Sequence, residues 1–176
     1  HQAEQTPVFF VEYTMAQFDP NSPTLQNLEA AFAGESMAHI KYRYFAKIAR
    51  EMGDEDTARI FEETAAQEVM HAFGHLDLLY PKASLTPARA LEIAIEGETY
   101  EYTEMYPKFR HLAVEEGHQA AVAEYDEQIE ESRVHAEQFR AVLEKAAKRF
   151  AALTTVEKRH AGHYQAQLDK VQSESA

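Results

Sequence analysis

Cysteine is absent from all 176 residues. Its absence excludes, within this sequence, thiol nucleophiles, disulfides, and zinc or iron–sulfur sites held by cysteine. Uninterrupted runs of about 18 apolar residues are also missing, so no membrane-spanning helix is predicted. Residues 1–7 lack the pattern of a signal peptide. We therefore expect a reducing compartment, either the cytoplasm or an organelle stroma or matrix, and no secretion.

Positive charge is scarce. The chain has 17 basic and 30 acidic residues, which gives a net charge of -13. Such a field repels nucleic acid and anionic membranes, so neither is an expected partner. Bound cations could neutralise part of this charge.

Glycine and proline are rare, with six of each, and they fall between or near the edges of long segments rich in helix-forming residues. This distribution predicts an all-α protein. Ser-Pro at 22–23 and Thr-Pro at 86–87 are typical helix starts, and Gly53 and Gly117 are predicted breaks. The predicted segments are an extended N-terminal arm (1–21), four helices (22–52, 54–80, 86–116 and 118–153), and a short fifth helix with a tail (154–176).

The sequence repeats itself once. AGES at 33–36 recurs as EGET at 96–99, and Gly53 recurs as Gly117. This repetition predicts two helical hairpins, related by a pseudo-twofold axis, that together form a four-helix bundle at residues 22–153.

Several acidic residues lie on the apolar stripes of these helices. Glu35 follows Phe32 on the first stripe, and Glu68 shares a stripe with His71. Glu98 and Glu101 are one turn apart on the third helix. Buried carboxylates without a partner cost several kcal/mol or become protonated, whereas metal ions would neutralise them. Carboxylates combined with imidazoles favour iron or manganese.

One glutamate from each of two helices and a Glu-x-x-His from each of the others is the di-iron pattern of ferritin-like bundles. The second half departs from it, because Ser132 stands three residues before His135 and Glu131 stands four before it. Glu131 follows Glu98 at the same interval at which Glu68 follows Glu35, whereas the count from Gly117 favours Ser132. A single-residue π-bulge in the fourth helix would reconcile the two counts. We take Glu131 and His135 as the candidates.

Four segments resemble the di-iron domain of rubrerythrins: AFAGES at 31–36, YRYFAK at 42–47, FEETA at 61–65 and GETYEYTEMYP at 97–107. The resemblance spans roughly residues 25–145 and implies a ferritin-like fold with two iron ions under an oxo or hydroxo bridge. It implies that Glu68 and Glu131 bridge the ions, and that Tyr42 and Tyr106 hydrogen-bond to ligand carboxylates. The seven implied ligands are Glu35, Glu68, His71, Glu98, Glu101, Glu131 and His135.

The sequence departs from the family in one respect. Rubrerythrins usually carry a rubredoxin domain whose four cysteines hold an iron, and this sequence has no cysteine. It therefore resembles the rubredoxin-less branch, to which symerythrin belongs, and an external electron donor is expected.

The expected function is peroxidase- or oxidase-type reduction of hydrogen peroxide or dioxygen. Five carboxylates would face a charge of plus four from two ferrous ions or from an oxo-bridged diferric pair, so both oxidation states are tolerated. Two alternatives stay open: an iron-handling or ferroxidase protein, and a dimetal-binding protein without redox activity. His39, His75, His160 and His163 are expected to be structural or surface residues.

The connector between the second and third helices is short. In the ferritin-like topology the ends that it joins lie on the order of 30 Å apart at about 1.5 Å per helical residue, whereas six residues span about 20 Å. We therefore predict a domain-swapped homodimer, in which the first two helices of one chain meet the last two of the other.

Overall fold

The computed structural model describes residues 18, 19 and 21–174, and every regular element in that part of the chain is a helix. The predicted all-α, ferritin-like class is confirmed. None of these helices combines the length and apolar character needed to cross a bilayer. The predicted N-terminal arm falls largely outside the described residues. In order, the elements are α1 Pro23–Glu51, α2 Glu55–Leu79, α3 Pro87–Tyr100, the π-segment Glu101–Met105, α4 Tyr106–Glu116 and α5 Gln119–Glu174.

The chain divides into two compact units, one ending at Thr86 and the other beginning at Pro87. We call α1 with α2 the first hairpin. The second hairpin consists of α3, the π-segment, α4 and α5.

Local capping sets the ends of the first hairpin. Ser22 Oγ accepts a hydrogen bond from Thr24 N at 3.2 Å, and Pro23 opens α1. Asp54 Oδ1 accepts from Thr57 N at 3.0 Å and caps α2. Gly53 between them has a φ of 82°, a left-handed conformation that glycine adopts without strain. The cap signals in the sequence therefore predict these helix starts correctly.

A seam of small residues joins α1 and α2. On α2, Ala58, Ala65, Ala72 and Leu79 are buried and recur every seven residues, and Ala46 on α1 is also buried. Methyl side chains let two helices approach closely, because no larger group separates the backbones. The seam thereby fixes which sides of α1 and α2 are left to carry the acidic residues.

The second hairpin turns at Gly117, whose φ is 77°. Ala113, Val122 and Ala136 are buried within it. Arg140 Nη2 donates a hydrogen bond to Thr99 Oγ1 at 2.9 Å, which links α5 to α3. This pairing brings the carboxylates of α3 opposite the histidine of α5.

The predicted bulge in the fourth helix is wrong, because α5 is α-helical from Gln119 to Glu174 and the extra residue lies in the third helix. Glu98 precedes Gly117 by one position more than Glu35 precedes Gly53. The π-segment Glu101–Met105 absorbs that one residue. It lies just before Pro107, which has no N–H to donate to the carbonyl four residues back.

The predicted separate fifth helix is also corrected, because residues 154–174 continue α5 without a break. The prediction used Thr154 or Thr155 as a helix start. In the structure their hydroxyls instead donate back to the carbonyls of Phe150 and Ala151, both at 3.0 Å. A threonine that bonds back in this way stays inside a helix.

Arg50 joins the end of α1 to α2 through two carboxylates. Its guanidinium donates to Glu55 at 2.9 and 3.0 Å and to Glu62 at 2.7 and 3.0 Å. These hydrogen bonds hold the pKa values of Glu55 and Glu62 below their usual range. The stability that Glu62 contributes is therefore present above the usual pKa of 4.5 and is lost as the pH falls through its lower folded-state value.

We expect Glu62→Gln to lower the Tm at pH 7 by about 1 to 3 °C, because it removes a charged partner of Arg50. The difference from the parent should shrink as the pH is lowered below 4.5, where the parent also loses this charge. Thermal melts followed by circular dichroism at several pH values measure it. Glu63→Gln is the matched control, because Glu63 meets Arg59 at only 3.4 Å. A Tm difference that is the same at every pH would contradict the prediction.

Candidate metal centre

The first hairpin gathers three potential ligands. Glu35 on α1 and Glu68 and His71 on α2 each place a ligand atom within 4.8 Å of the others. His71 Nδ1 lies 2.8 Å from Glu68 Oε2 and 3.8 Å from Glu35 Oε2. The glutamates are largely covered, with side-chain exposures of 31% and 15%, whereas that of His71 is 58%. Two oxygens and one imidazole nitrogen at this spacing suit a divalent first-row metal.

Hydrogen bonding controls the charge of Glu68. Its contact with His71, followed by one with Glu35, holds the pKa of the Glu68 carboxyl below its usual range. Glu68 is therefore ionised at neutral pH. An ionised oxygen that faces both a histidine and a second carboxylate is a suitable metal ligand.

The second hairpin carries a buried carboxylate oxygen that lacks a partner. Glu98 Oε2 on α3 is buried and has no hydrogen-bond partner among the residues that the structure describes. Its other oxygen, Oε1, lies 3.5 Å from His135 Nδ1 on α5. A buried, unpartnered carboxylate oxygen is costly, and a bound cation would remove that cost. This part of the hairpin thus fits a metal ion.

Glu101 has a partner that sequence reasoning did not assign. Ser132 Oγ donates a hydrogen bond to Glu101 Oε2 at 3.0 Å, and Ser132 is only 3% exposed. Glu131, the candidate ligand beside it, is exposed. The count from Gly117 was the signal that pointed to position 132.

The two candidate tyrosines have aromatic surroundings. The Tyr42 ring lies 5.7 Å from that of Phe61. The Tyr106 ring lies 6.0 Å from Tyr125, and burial, followed by the charges of Glu101 and other glutamates, raises the pKa of its phenol. Their predicted hydrogen bonds to ligand carboxylates stay predictions.

Three further histidines considered in the sequence have other surroundings. The His39 ring N–H donates to the backbone oxygen of Ala65 at 2.9 Å, so this side chain contributes to the seam of the first hairpin. His160 and His163 are exposed on α5. Among the described residues, Glu35, Glu68 and His71 form the group whose ligand atoms lie close enough together to hold one ion.

Comparisons with known proteins agree with the predicted resemblance. The rubrerythrin family model matches residues 26–168. Nigerythrin of Nitratidesulfovibrio vulgaris is 40% identical over 128 residues, which cover 66% of this chain and 63% of that protein. Rubrerythrin of Porphyromonas gingivalis is 36% identical over 133 residues, with coverages of 69% and 66%. A solved structure of fully reduced, all-ferrous nigerythrin matches 82% of this chain and 80% of its own, at 34% identity and a TM-score of 0.37. The chain thus spans somewhat less than two thirds of the length of the first two relatives.

We expect Glu68→Gln to weaken binding of Co(II) or Fe(II) at least about tenfold, because it removes the carboxylate that faces both Glu35 and His71. Anaerobic equilibrium dialysis measures the affinity. Glu63→Gln serves as the control, since Glu63 pairs with Arg59 on the surface of the same helix. Equal affinities for the two variants would argue against a metal site in the first hairpin.

Proposed function

The chain belongs to the rubrerythrin family, and on that premise we propose that it is a di-iron oxidoreductase that reduces hydrogen peroxide or dioxygen. The observation that carries the proposal is the group formed by Glu35, Glu68 and His71, whose ligand atoms lie within 4.8 Å of one another. The unpartnered oxygen of Glu98 supports it from the second hairpin.

Seven side chains hold the metal pair in this proposal. As the family resemblance implies, Glu68 and Glu131 would be shared by the two ions, and the other carboxylates would each serve one ion. Glu35 and Glu98 are the corresponding glutamates of the repeated AGES and EGET sequences. The full set is Glu35, Glu68, His71, Glu98, Glu101, Glu131 and His135.

When bound, two ferrous ions would supply the two electrons that peroxide reduction needs. The protein's own side chains control charge and protons around them. The raised pKa of Tyr106 keeps its phenol protonated, so that it can donate a hydrogen bond to a ligand carboxylate. His71 Nδ1 stands beside both Glu35 and Glu68, so small movements of the ring exchange one oxygen partner for the other.

The electrons that restore the reduced state must come from outside these 176 residues. The chain contains no cysteine, so it has no thiolate-held iron to act as an internal donor. We propose a separate electron-donor protein or domain.

We further propose that the working unit is a domain-swapped homodimer. The seven residues between Leu79 and Pro87 reach about 25 Å when fully extended. His71 is eight residues before the end of α2, and Glu98 is eleven residues after the start of α3. Parallel α2 and α3 with their ligands at one level would place those helix ends on the order of 30 Å apart. A second chain removes this conflict by supplying the other hairpin.

Mixing diferrous protein with hydrogen peroxide in a stopped-flow instrument tests the redox function. We expect oxidation far faster than that of free ferrous ion, because the proposed site presents both ions to one oxidant molecule. Glu68→Gln should lose most of this acceleration, and Glu63→Gln should keep it. Oxidation at the rate of free ferrous ion would overturn the proposal. Many iron atoms bound per chain would favour iron handling instead.

Mixed dimers test the swap. In a swapped dimer of one Glu68→Gln chain and one Glu98→Gln chain, both lesions fall in one site and the other site is intact. We expect such heterodimers, isolated with two affinity tags, to hold about half of the parent's iron and activity. Each variant alone should hold little. Heterodimers as empty as the homodimers, or a monomer with a complete site in sedimentation, would contradict the swap.

A further inference from the structure

Ser132 is a buried polar residue in the second hairpin, with an exposure of only 3%. Its hydroxyl donates a hydrogen bond to Glu101 Oε2 at 3.0 Å. The two residues are far apart in the sequence, so the bond joins α5 to the start of the π-segment. A buried hydroxyl whose donor is aimed at a carboxylate controls how that carboxylate is presented.

The register of the hairpins shows what Ser132 replaces. Counted from Gly117, Ser132 stands at the same position along the chain as Glu68 does when counted from Gly53. His135 corresponds to His71 in the same count. Because α5 has no bulge, Ser132 occupies the helical position in the second hairpin that Glu68 occupies in the first.

The facing helices show the reciprocal change. Ala38 is three residues after Glu35, and Glu101 is three residues after Glu98. The first hairpin therefore pairs an alanine position on α1 with a glutamate on α2. The second pairs the glutamate at the start of the π-segment with a serine on α5. The carboxylate is thus on the second helix of the first hairpin but on the first helix of the second hairpin, where the Ser132 hydroxyl contacts it.

We infer that Ser132 is a positioning residue for Glu101, an inference that rests on the proposed di-iron function. The hydroxyl takes one lone pair of Oε2, so Oε1 is the freer oxygen and would bind a single ion. Removing the hydroxyl frees Oε2 to bind the same ion as well. The π-segment begins at Glu101, so the residue inserted into this helix lies next to the side chain that Ser132 contacts.

The test compares Ser132→Ala and Ser132→Gly with the parent after anaerobic loading with Co(II). We expect both variants to bind two ions per chain. Ser132→Ala should show weaker visible absorption from one ion, because a second oxygen of Glu101 raises its coordination number. Its affinity for that ion should change by about ten- to a hundredfold. Ser132→Gly also removes the hydroxyl and adds no metal-binding group, so a change in the same direction is expected.

Ser36→Ala is the matched control. The Ser36 hydroxyl donates to Phe32 O at 2.7 Å within its own helix, so its removal should leave the cobalt spectrum unchanged. If Ser132→Ala fails to fold, the glycine variant carries the test. A parent with two ions and variants with the parent spectrum and affinity would overturn the role of Ser132 alone. A parent that binds no metal pair would overturn the proposed function and this inference together.

Discussion

Repulsion between carboxylates that share a partly covered helix face is the constraint on which the site depends. Glu35 and Glu68 approach the same imidazole, and Glu98 keeps a buried oxygen without a partner among the described residues. Chains avoid such arrangements unless a cation or a hydrogen-bond donor compensates, because uncompensated buried charge costs several kcal/mol. Each hairpin supplies part of this compensation from its own donors. His71 contacts Glu68 in the first, and Ser132 contacts Glu101 in the second.

Much of the fold follows from local signals. Ser22 and Asp54 cap their helices because a side-chain oxygen satisfies an otherwise free N–H, an effect that depends on a few neighbouring residues. Helical spacing puts Glu68 and His71 on one face of α2, and the packing of α1 against α2 brings Glu35 to them. The all-α class is confirmed by the helices of the structure, and the family resemblance is confirmed by the match to the rubrerythrin family model.

The two wrong predictions, a bulge in the fourth helix and a separate fifth helix, have a different origin. The intervals between repeated residues reveal that the second half carries one extra position between Glu98 and Gly117, yet they do not show which turn of that stretch absorbs it. The backbone beside Pro107 absorbs it, where an α-helical hydrogen bond is already missing. Thr154 is ambiguous in a similar way, because the same hydroxyl can cap a new helix or bond back into an existing one. Both choices depend on the surrounding backbone rather than on residue type.

The alanine seam of α2 has a consequence for how the protein tolerates change. Ala58, Ala65 and Ala72 have no side-chain rotamers, so at these positions the two helices have no side-chain adjustment with which to absorb a change in their spacing. A larger residue at any of them would separate the helices by an amount comparable to a methyl group, while metal–ligand distances tolerate about 0.2 Å. The alignment of Glu68 and His71 with Glu35 therefore depends on alanines that are not themselves metal ligands. Larger residues at these alanine positions would leave every ligand in the chain but would misalign the ligands with one another.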